Sequence, residues 1–81
     1  MMSAFVLIQM AASSGGWTDA RALHDALHAI AGVKTVHFLA GPTDIITFVE
    51  ASDQKALMEA VGKIRAVKGV ASTDTRVIWP V

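Results

Sequence analysis

Apolar residues recur along the chain with the two-residue spacing of strands in four segments. Residues 4–10 form a short run of β-branched and aromatic side chains ended by small polar residues, which predicts a first strand. Apolar and polar residues alternate over 33–40, which predicts a second strand. Residues 44–50 and 70–79 carry the same signal. The pattern therefore predicts a four-stranded sheet.

Two further segments carry apolar residues at the spacing of an amphipathic helix. In the first segment these residues are Leu23, Leu27 and Ile30. In the second they are Leu57, Val61 and Ile64. Thr18 and Ser52 are the expected N-caps, with Asp53 in the first turn of the second helix, because hydroxyl oxygens accept bonds from free helix amides. Gly32 and Gly69 follow the helices and are expected to end them in the left-handed conformation.

The resulting order of elements is β-α-β-β-α-β. The pattern A-[IV]-x-G-V occurs at both helix-to-strand junctions, at residues 29–33 and 66–70. Two βαβ halves that end alike are typical of the ferredoxin-like α+β sandwich, in which both helices cover one face of an antiparallel sheet.

The other face of the sheet is also expected to be apolar. Phe5 and Leu7 alternate with apolar neighbours in the first strand, and Ile46 and Phe48 do so in the third. Over the 81 residues, 53% are hydrophobic and only 17% are charged, against about 25% charged in an average domain. A monomer rarely tolerates so large an exposed apolar face. We therefore expect two copies to pack sheet to sheet as a two-fold dimer of the dimeric α/β barrel type.

Composition excludes several classes of function. The chain has no cysteine, which excludes disulfides, thiolate zinc sites and thiol nucleophiles and fits a cytoplasmic location. No apolar run reaches the ~18 residues of a membrane span, and no signal peptide is expected. Seven basic residues balance seven acidic ones, so the net charge of zero argues against direct binding of nucleic acid.

The candidate chemical groups do not form a recognisable catalytic, metal or cofactor site in the sequence. His24 and His28 have the i, i+4 spacing that can chelate a metal ion, but no third ligand lies nearby in sequence, and His37 falls on a strand. Ser13 and Ser14 lack a nucleophile-elbow motif, and the glycines that follow them do not match a phosphate-binding motif. No catalytic residue, metal or cofactor is predicted.

One polar constellation remains, formed by Gly41, Asp44, Thr73 and Thr75. Gly41 and Asp44 bracket a tight turn, and the two threonines lie two residues apart, on the same side of the last strand. A carboxylate can bind the ammonium group of an α-amino acid, while hydroxyls and turn amides bind its carboxylate. The alternative is purely structural, because aspartate favours turns and threonine favours strands.

Four stretches of the chain together resemble a known family. They are Gly-Pro-Thr-Asp-Ile-Ile at 41–46, Val-Glu-Ala-Ser-Asp at 49–53, Ile-Arg-Ala-Val-Lys-Gly-Val at 64–70 and Ser-Thr-Asp-Thr-Arg-Val-Ile at 72–78. Over about residues 4–78 the chain resembles the effector-binding (RAM) domain of the Lrp/AsnC transcription regulators.

The resemblance implies a ferredoxin-like fold, sheet-to-sheet dimers and rings of dimers, commonly octamers, that bind amino acids between dimers. It implies effector contacts at Gly41, Asp44, Thr73 and Thr75. Ala40 stands where the family often has Thr or Ser, and Pro42 lacks an amide, so both residues remove potential ligand contacts.

Residues 1–81 are expected to form a single domain of this type. Because the family's helix-turn-helix is not present, we expect a stand-alone module that acts by self-assembly or by co-assembly with full-length Lrp/AsnC regulators.

Two alternatives stay open at this stage. Small ferredoxin-like dimers also include monooxygenases and isomerases, in which one of the three histidines would face a pocket between helices and sheet. The ACT domain binds amino acids on the same strand order, with its glycine after the first strand, where Gly15 and Gly16 lie. ACT domains pair side by side, whereas the RAM type stacks face to face.

Overall fold

The structure is a computed structural model, and it describes residues 1–11 and 20–79. Its elements, in order, are β1 (Met2–Met10), α1 (Ala20–His28), β2 (Val33–Phe38), β3 (Ile45–Ala51), α2 (Gln54–Arg65) and β4 (Val70–Val77). This order confirms the predicted βαββαβ arrangement. The predicted loop at 13–16 and the predicted N-cap Thr18 lie outside the described residues.

The four strands form one antiparallel sheet in the order β2-β3-β1-β4. Ile8 near the end of β1 pairs with Ile45 at the start of β3 on one side and with Thr73 of β4 on the other. The end of β1, the start of β4 and the turn between β2 and β3 therefore meet at one end of the sheet. Between Gln9 and Met10 the register of β1 against β4 shifts, which marks a bulge.

The core lies between the two helices and one face of the sheet. Its strand residues are Ala4, Val6, Ile8, Val33, Val36, Ile45 and Val49. Its helix residues are Leu27, Leu57, Ala60, Val61 and Ile64. The predicted apolar stripe of the second helix is therefore confirmed. The polar residue Thr47 is also buried on this face, and its hydroxyl donates a hydrogen bond to the carbonyl of Val6 at 3.2 Å.

The N-cap of α2 differs by one residue from the prediction. Asp53, not Ser52, has the extended cap conformation, and its Oδ1 accepts a hydrogen bond from the amide of Ala56 at 2.8 Å. Asp53 is therefore the N-cap, which provides an acceptor for a free amide of the first turn, and is not itself part of that turn. The strand β3 runs on to Ala51, which leaves two residues to make the corner into the helix.

Gly32 has the predicted left-handed backbone, with φ of +98°, but it does not directly follow α1. The helix ends at His28, two residues before the predicted end at Ile30, and a turn closed by Val33 N donating to the Ile30 carbonyl (3.1 Å) follows. A Cβ on Gly32 would lie 2.9 Å from the Glu50 carbonyl oxygen, so the tight approach to β3 also requires glycine.

The sheet face opposite the helices carries a central apolar cluster, here called the open face. It consists of Phe5 and Leu7 on β1 and their register partners Phe48 and Ile46 on β3. The Phe5 and Phe48 rings are 5.3 Å apart between centroids, and Phe5 is 41% exposed. Both faces of β1 and β3 are thus apolar, as the sequence predicted. Neither described helix is long and apolar enough to cross a membrane.

Candidate ligand-binding site

The turn between β2 and β3 is fixed to the end of β1 through Asp44. The Asp44 amide donates to the carbonyl of Ile8 at 3.2 Å, and its Oδ2 accepts a hydrogen bond from the amide of Met10 at 2.8 Å. Leu39 N donates to the Asp44 carbonyl at 2.8 Å and closes the turn. Gly41 is exposed, has φ of +140°, and has open space where a Cβ would be. One oxygen of the Asp44 carboxylate therefore has a structural role.

The two threonines of β4 lie on the same side of the strand, as predicted. Thr73 is opposite Ile8 and Thr75 is opposite Val6, so both are on the helix-facing side and are half-buried. The Thr73 hydroxyl oxygen accepts a hydrogen bond from Nε of Arg65 at 3.0 Å. That bond joins the last residue of α2 to the start of β4.

The structure brings one of the four predicted residues into a groove with the turn. A groove of about 130 Å³ at this end of the sheet is lined by Leu7, Ile8, Gln9, Thr43, Ser72, Thr73 and Asp74. Thr73 is thus next to the turn, while Gly41, Asp44 and Thr75 are not lining residues. Thr43 was not predicted, although it lies inside the Gly-Pro-Thr-Asp turn that carried the prediction.

A second groove, of about 290 Å³, is formed by the same strand segment and the end of α2. Its lining residues are Arg65, Val70, Ala71, Ser72 and Thr73. Sequence reasoning did not single out Arg65 as a functional residue. The available signal was the arginine of the Ile-Arg pair at the helix-to-strand junction, but its partner Thr73 becomes apparent only in the folded chain.

Asp74 and Arg76 on β4 form an ion pair with each other. Arg76 donates through Nη2 to Asp74 Oδ2 at 2.9 Å and through Nε to the same carboxylate at 3.2 and 3.3 Å. These hydrogen bonds lower the pKa of Asp74 below its ordinary value and raise the pKa of Arg76. Both side chains are on the open-face side, because they are opposite Leu7 and Phe5. Asp74 is therefore a poor acceptor for a ligand ammonium group.

The three histidines do not converge. The rings of His24 and His28 stack with centroids 5.7 Å apart, and Nδ1 of His24 is 3.3 Å from Oδ1 of Asp25. His37 lies opposite Ile46, on the open-face side of the sheet, away from the core face on which α1 packs. Within residues 1–11 and 20–79, no three groups of the metal-binding types come close enough to hold an ion.

A family model for the Lrp/AsnC ligand-binding domain matches residues 3–79. The chain belongs to this family. The match decides between the two amino-acid-binding domain families that the sequence left open, because the family model is that of the Lrp/AsnC domain and not of the ACT domain. This membership, together with the observed βαββαβ fold, confirms the resemblance that the turn and junction motifs carried.

Known proteins resemble the chain over its length or over part of it. FFRP-DM1 has a TM-score of 0.81 and 29% identity, over 98% of this chain and 100% of that one. AsnC of E. coli shares the fold, with a TM-score of 0.79 and 20% identity over 99% of this chain and 52% of that one. Homocitrate synthase of Sulfurisphaera tokodaii is 46% identical over 52 residues, which are 64% of this chain. The chain spans only 11% of that curated relative.

Proposed function

We propose that this chain is an amino-acid-binding and oligomerisation module that acts in regulation and is not itself an enzyme. The observation that carries the proposal is the family match over residues 3–79. The meeting of the turn, the end of β1 and the start of β4 supports it, because it gathers hydroxyls and the carboxylates of Asp44 and Asp74 at a single end of the sheet. The whole of residues 1–81 forms the module, and it works in the cytoplasm.

The chemistry of the site suits an α-amino acid. Oδ1 of Asp44 accepts from the ligand ammonium group while Oδ2 stays on Met10, and amides near Gly41 and the hydroxyls of Thr73 and Thr75 bind the carboxylate. Pockets that enclose a small ligand usually measure about 300–1,000 Å³, whereas the groove beside the turn measures about 130 Å³. A second copy of the chain completes the site, so that binding favours assembly.

Assembly begins at the open face. Phe5, Leu7, Ile46 and Phe48 form a continuous apolar cluster on the side of the sheet away from the core. A second copy buries this cluster sheet to sheet, and burial of apolar area stabilises the pair by about 25 cal/mol per Å². Such dimers assemble further into a ring, such as an octamer, or into mixed particles with full-length Lrp/AsnC regulators.

A specific observation favours a second setting for the same module. A segment 46% identical to this chain occurs within homocitrate synthase. We propose as the second candidate that the module reports amino-acid levels to an enzyme with which it associates. Pull-down with a full-length regulator and with such an enzyme distinguishes the two partners.

The experiment that tests the proposed function is a thermal-shift screen of the twenty amino acids at millimolar concentration. A ligand at 100 times its Kd raises the midpoint by an amount on the order of 10 °C in a domain of this size. We expect a selective shift for one amino acid or one chemical class. Asp44→Asn should abolish it, and Asp25→Asn, on the surface of α1, should keep it. No shift with any amino acid would contradict the proposal.

A further inference from the structure

Arg65 is an exposed arginine that connects the end of α2 to β4. It is the last residue of α2, and its Nε donates to Oγ1 of Thr73 at 3.0 Å. Ion pairs within the described residues join Arg76 to Asp74 and His24 to Asp25, so Arg65 has no carboxylate partner among them. A guanidinium has five N–H donors. The bond to Thr73 uses one of them and leaves the two terminal nitrogens for a ligand.

The groove beside Arg65 has the chemistry of an anion site. Its lining combines the guanidinium with the hydroxyls of Ser72 and Thr73 and the small apolar residues Val70 and Ala71, and none of the lining residues is acidic. The strand that forms its wall, β4, is an edge strand of the sheet. A planar guanidinium recognises carboxylates in a bidentate manner. The groove therefore fits a carboxylate better than an ammonium group or a neutral amide.

The bond between Arg65 and Thr73 orients both partners for this purpose. Because Nε donates to Thr73, the guanidinium is held beside the start of β4, and this bond leaves the N–H groups of Nη1 and Nη2 unused. Because the Thr73 oxygen accepts from Arg65, the hydroxyl proton remains free to donate to a ligand oxygen. Thr73 and Ser72 also line the smaller groove beside Thr43. The two grooves thus have Ser72 and Thr73 in common.

We infer that Arg65 binds the α-carboxylate of the amino acid, with Thr73 as the residue that orients it. This inference rests on the proposed function and adds the residue that discriminates a carboxylate from its neutral derivatives. Arg65 then recognises the carboxylate end of the ligand together with the hydroxyl of Thr73.

The test compares an amino acid with its own carboxamide on the intact protein. The probe is the amino acid that gives the largest thermal shift, titrated calorimetrically beside its carboxamide at a pH where both ammonium groups are protonated. The wild type should prefer the amino acid by roughly ten-fold or more, because a hydrogen bond between charged groups is about that strong. Arg65→Gln should remove this preference, and Arg65→Lys should restore part of it. Arg76→Gln is the matched control and should keep it.

The possible outcomes separate this inference from the proposed function. If the wild type binds the amino acid and its carboxamide equally well, Arg65 does not read a carboxylate, although the chain still binds amino acids. If Arg65→Gln retains the preference, the inference is also overturned while the proposed function stands. If no amino acid binds the wild type, both are overturned. Should Arg65→Gln fail to fold, the preference for the amino acid over its carboxamide is measured on Thr73→Val and on the wild type. These two measurements still decide whether Arg65 recognises the carboxylate.

Discussion

The carboxylate of Asp44 accepts a hydrogen bond from the backbone amide of Met10 at 2.8 Å, although 34 residues separate them in the chain. The pairing of β1 with β3 ends at Ile8 and Ile45, so the amide of Met10 lies beyond that ladder. A partly buried amide without a partner costs free energy. Asp44 provides the partner and at the same time joins the β2–β3 turn to the strand on which the proposed site is built.

Replacing Asp44 with alanine should destabilise the fold. The change leaves the Met10 amide unsatisfied, which costs about 1–3 kcal/mol in the free energy of unfolding. Asp44→Asn should cost less, because its carboxamide oxygen can still accept the bond. Urea denaturation measures both values. The surface variant Asp25→Ala should stay within about 0.5 kcal/mol of the wild type, and equal stability of Asp44→Ala and wild type would show that the bond has no energetic role.

Two glycines should respond with opposite signs to the same substitution. Gly32→Ala should destabilise the chain by roughly 1–3 kcal/mol, since φ is +98° there and the new Cβ would lie 2.9 Å from the Glu50 carbonyl oxygen. Gly62→Ala should stabilise it by about 0.5–1 kcal/mol, because Gly62 lies within α2 and a Cβ there would extend into open space. The midpoints of urea denaturation test this pair, and shifts of the same sign would contradict it.

A lysine on the open face should disrupt assembly, while a lysine on α2 should not. Phe5 and Met58 are exposed to similar extents, 41% and 48%, but Phe5 lies on the open face and Met58 on α2. Phe5→Lys places a charge beside Arg76, its register partner, and should reduce the mass measured by light scattering. Met58→Lys should leave that mass unchanged. A monomeric wild type, or a Phe5→Lys variant as large as the wild type, would refute the sheet-to-sheet dimer.

Removing Arg76 should return the pKa of Asp74 toward its ordinary value of 3.8. The hydrogen bonds from Arg76 favour the ionised carboxylate in the folded chain, so the folded pKa lies below the unfolded one. Their contribution to stability is complete above pH 3.8 and is lost as the pH falls through the lowered pKa. A carboxyl-carbon NMR titration of wild type and Arg76→Gln measures the shift. Identical titration curves would mean that the pair is not formed in solution.

Much of the fold could be predicted because it depends on local periodicity. The alternation in β1 and β3 set the faces of the sheet, and the stripe of Leu57, Val61 and Ile64 set the buried side of α2. The N-cap of α2 was placed one residue early because Ser52 and Asp53 are both good caps. The choice between them depends on where β3 ends, and tertiary pairing decides that.

The candidate site could be predicted only in part, for a similar reason. The two-residue spacing was enough to place Thr73 and Thr75 on the same side of β4. The bond between Asp44 and Met10 joins residues that meet only when the sheet closes, so turn chemistry alone did not reveal it. Arg65 was missed because its partner Thr73 belongs to the next element, beyond the turn that follows α2.

Native mass spectrometry of the wild-type chain with and without the amino acid selected by the screen tests the central claim most directly, because it reports subunit number and bound ligand together. The account predicts particles whose mass is an even multiple of 8.5 kDa, with the mass of the amino acid added when it is present. A particle of 8.5 kDa without added ligand mass, at every amino-acid concentration tried, would contradict it.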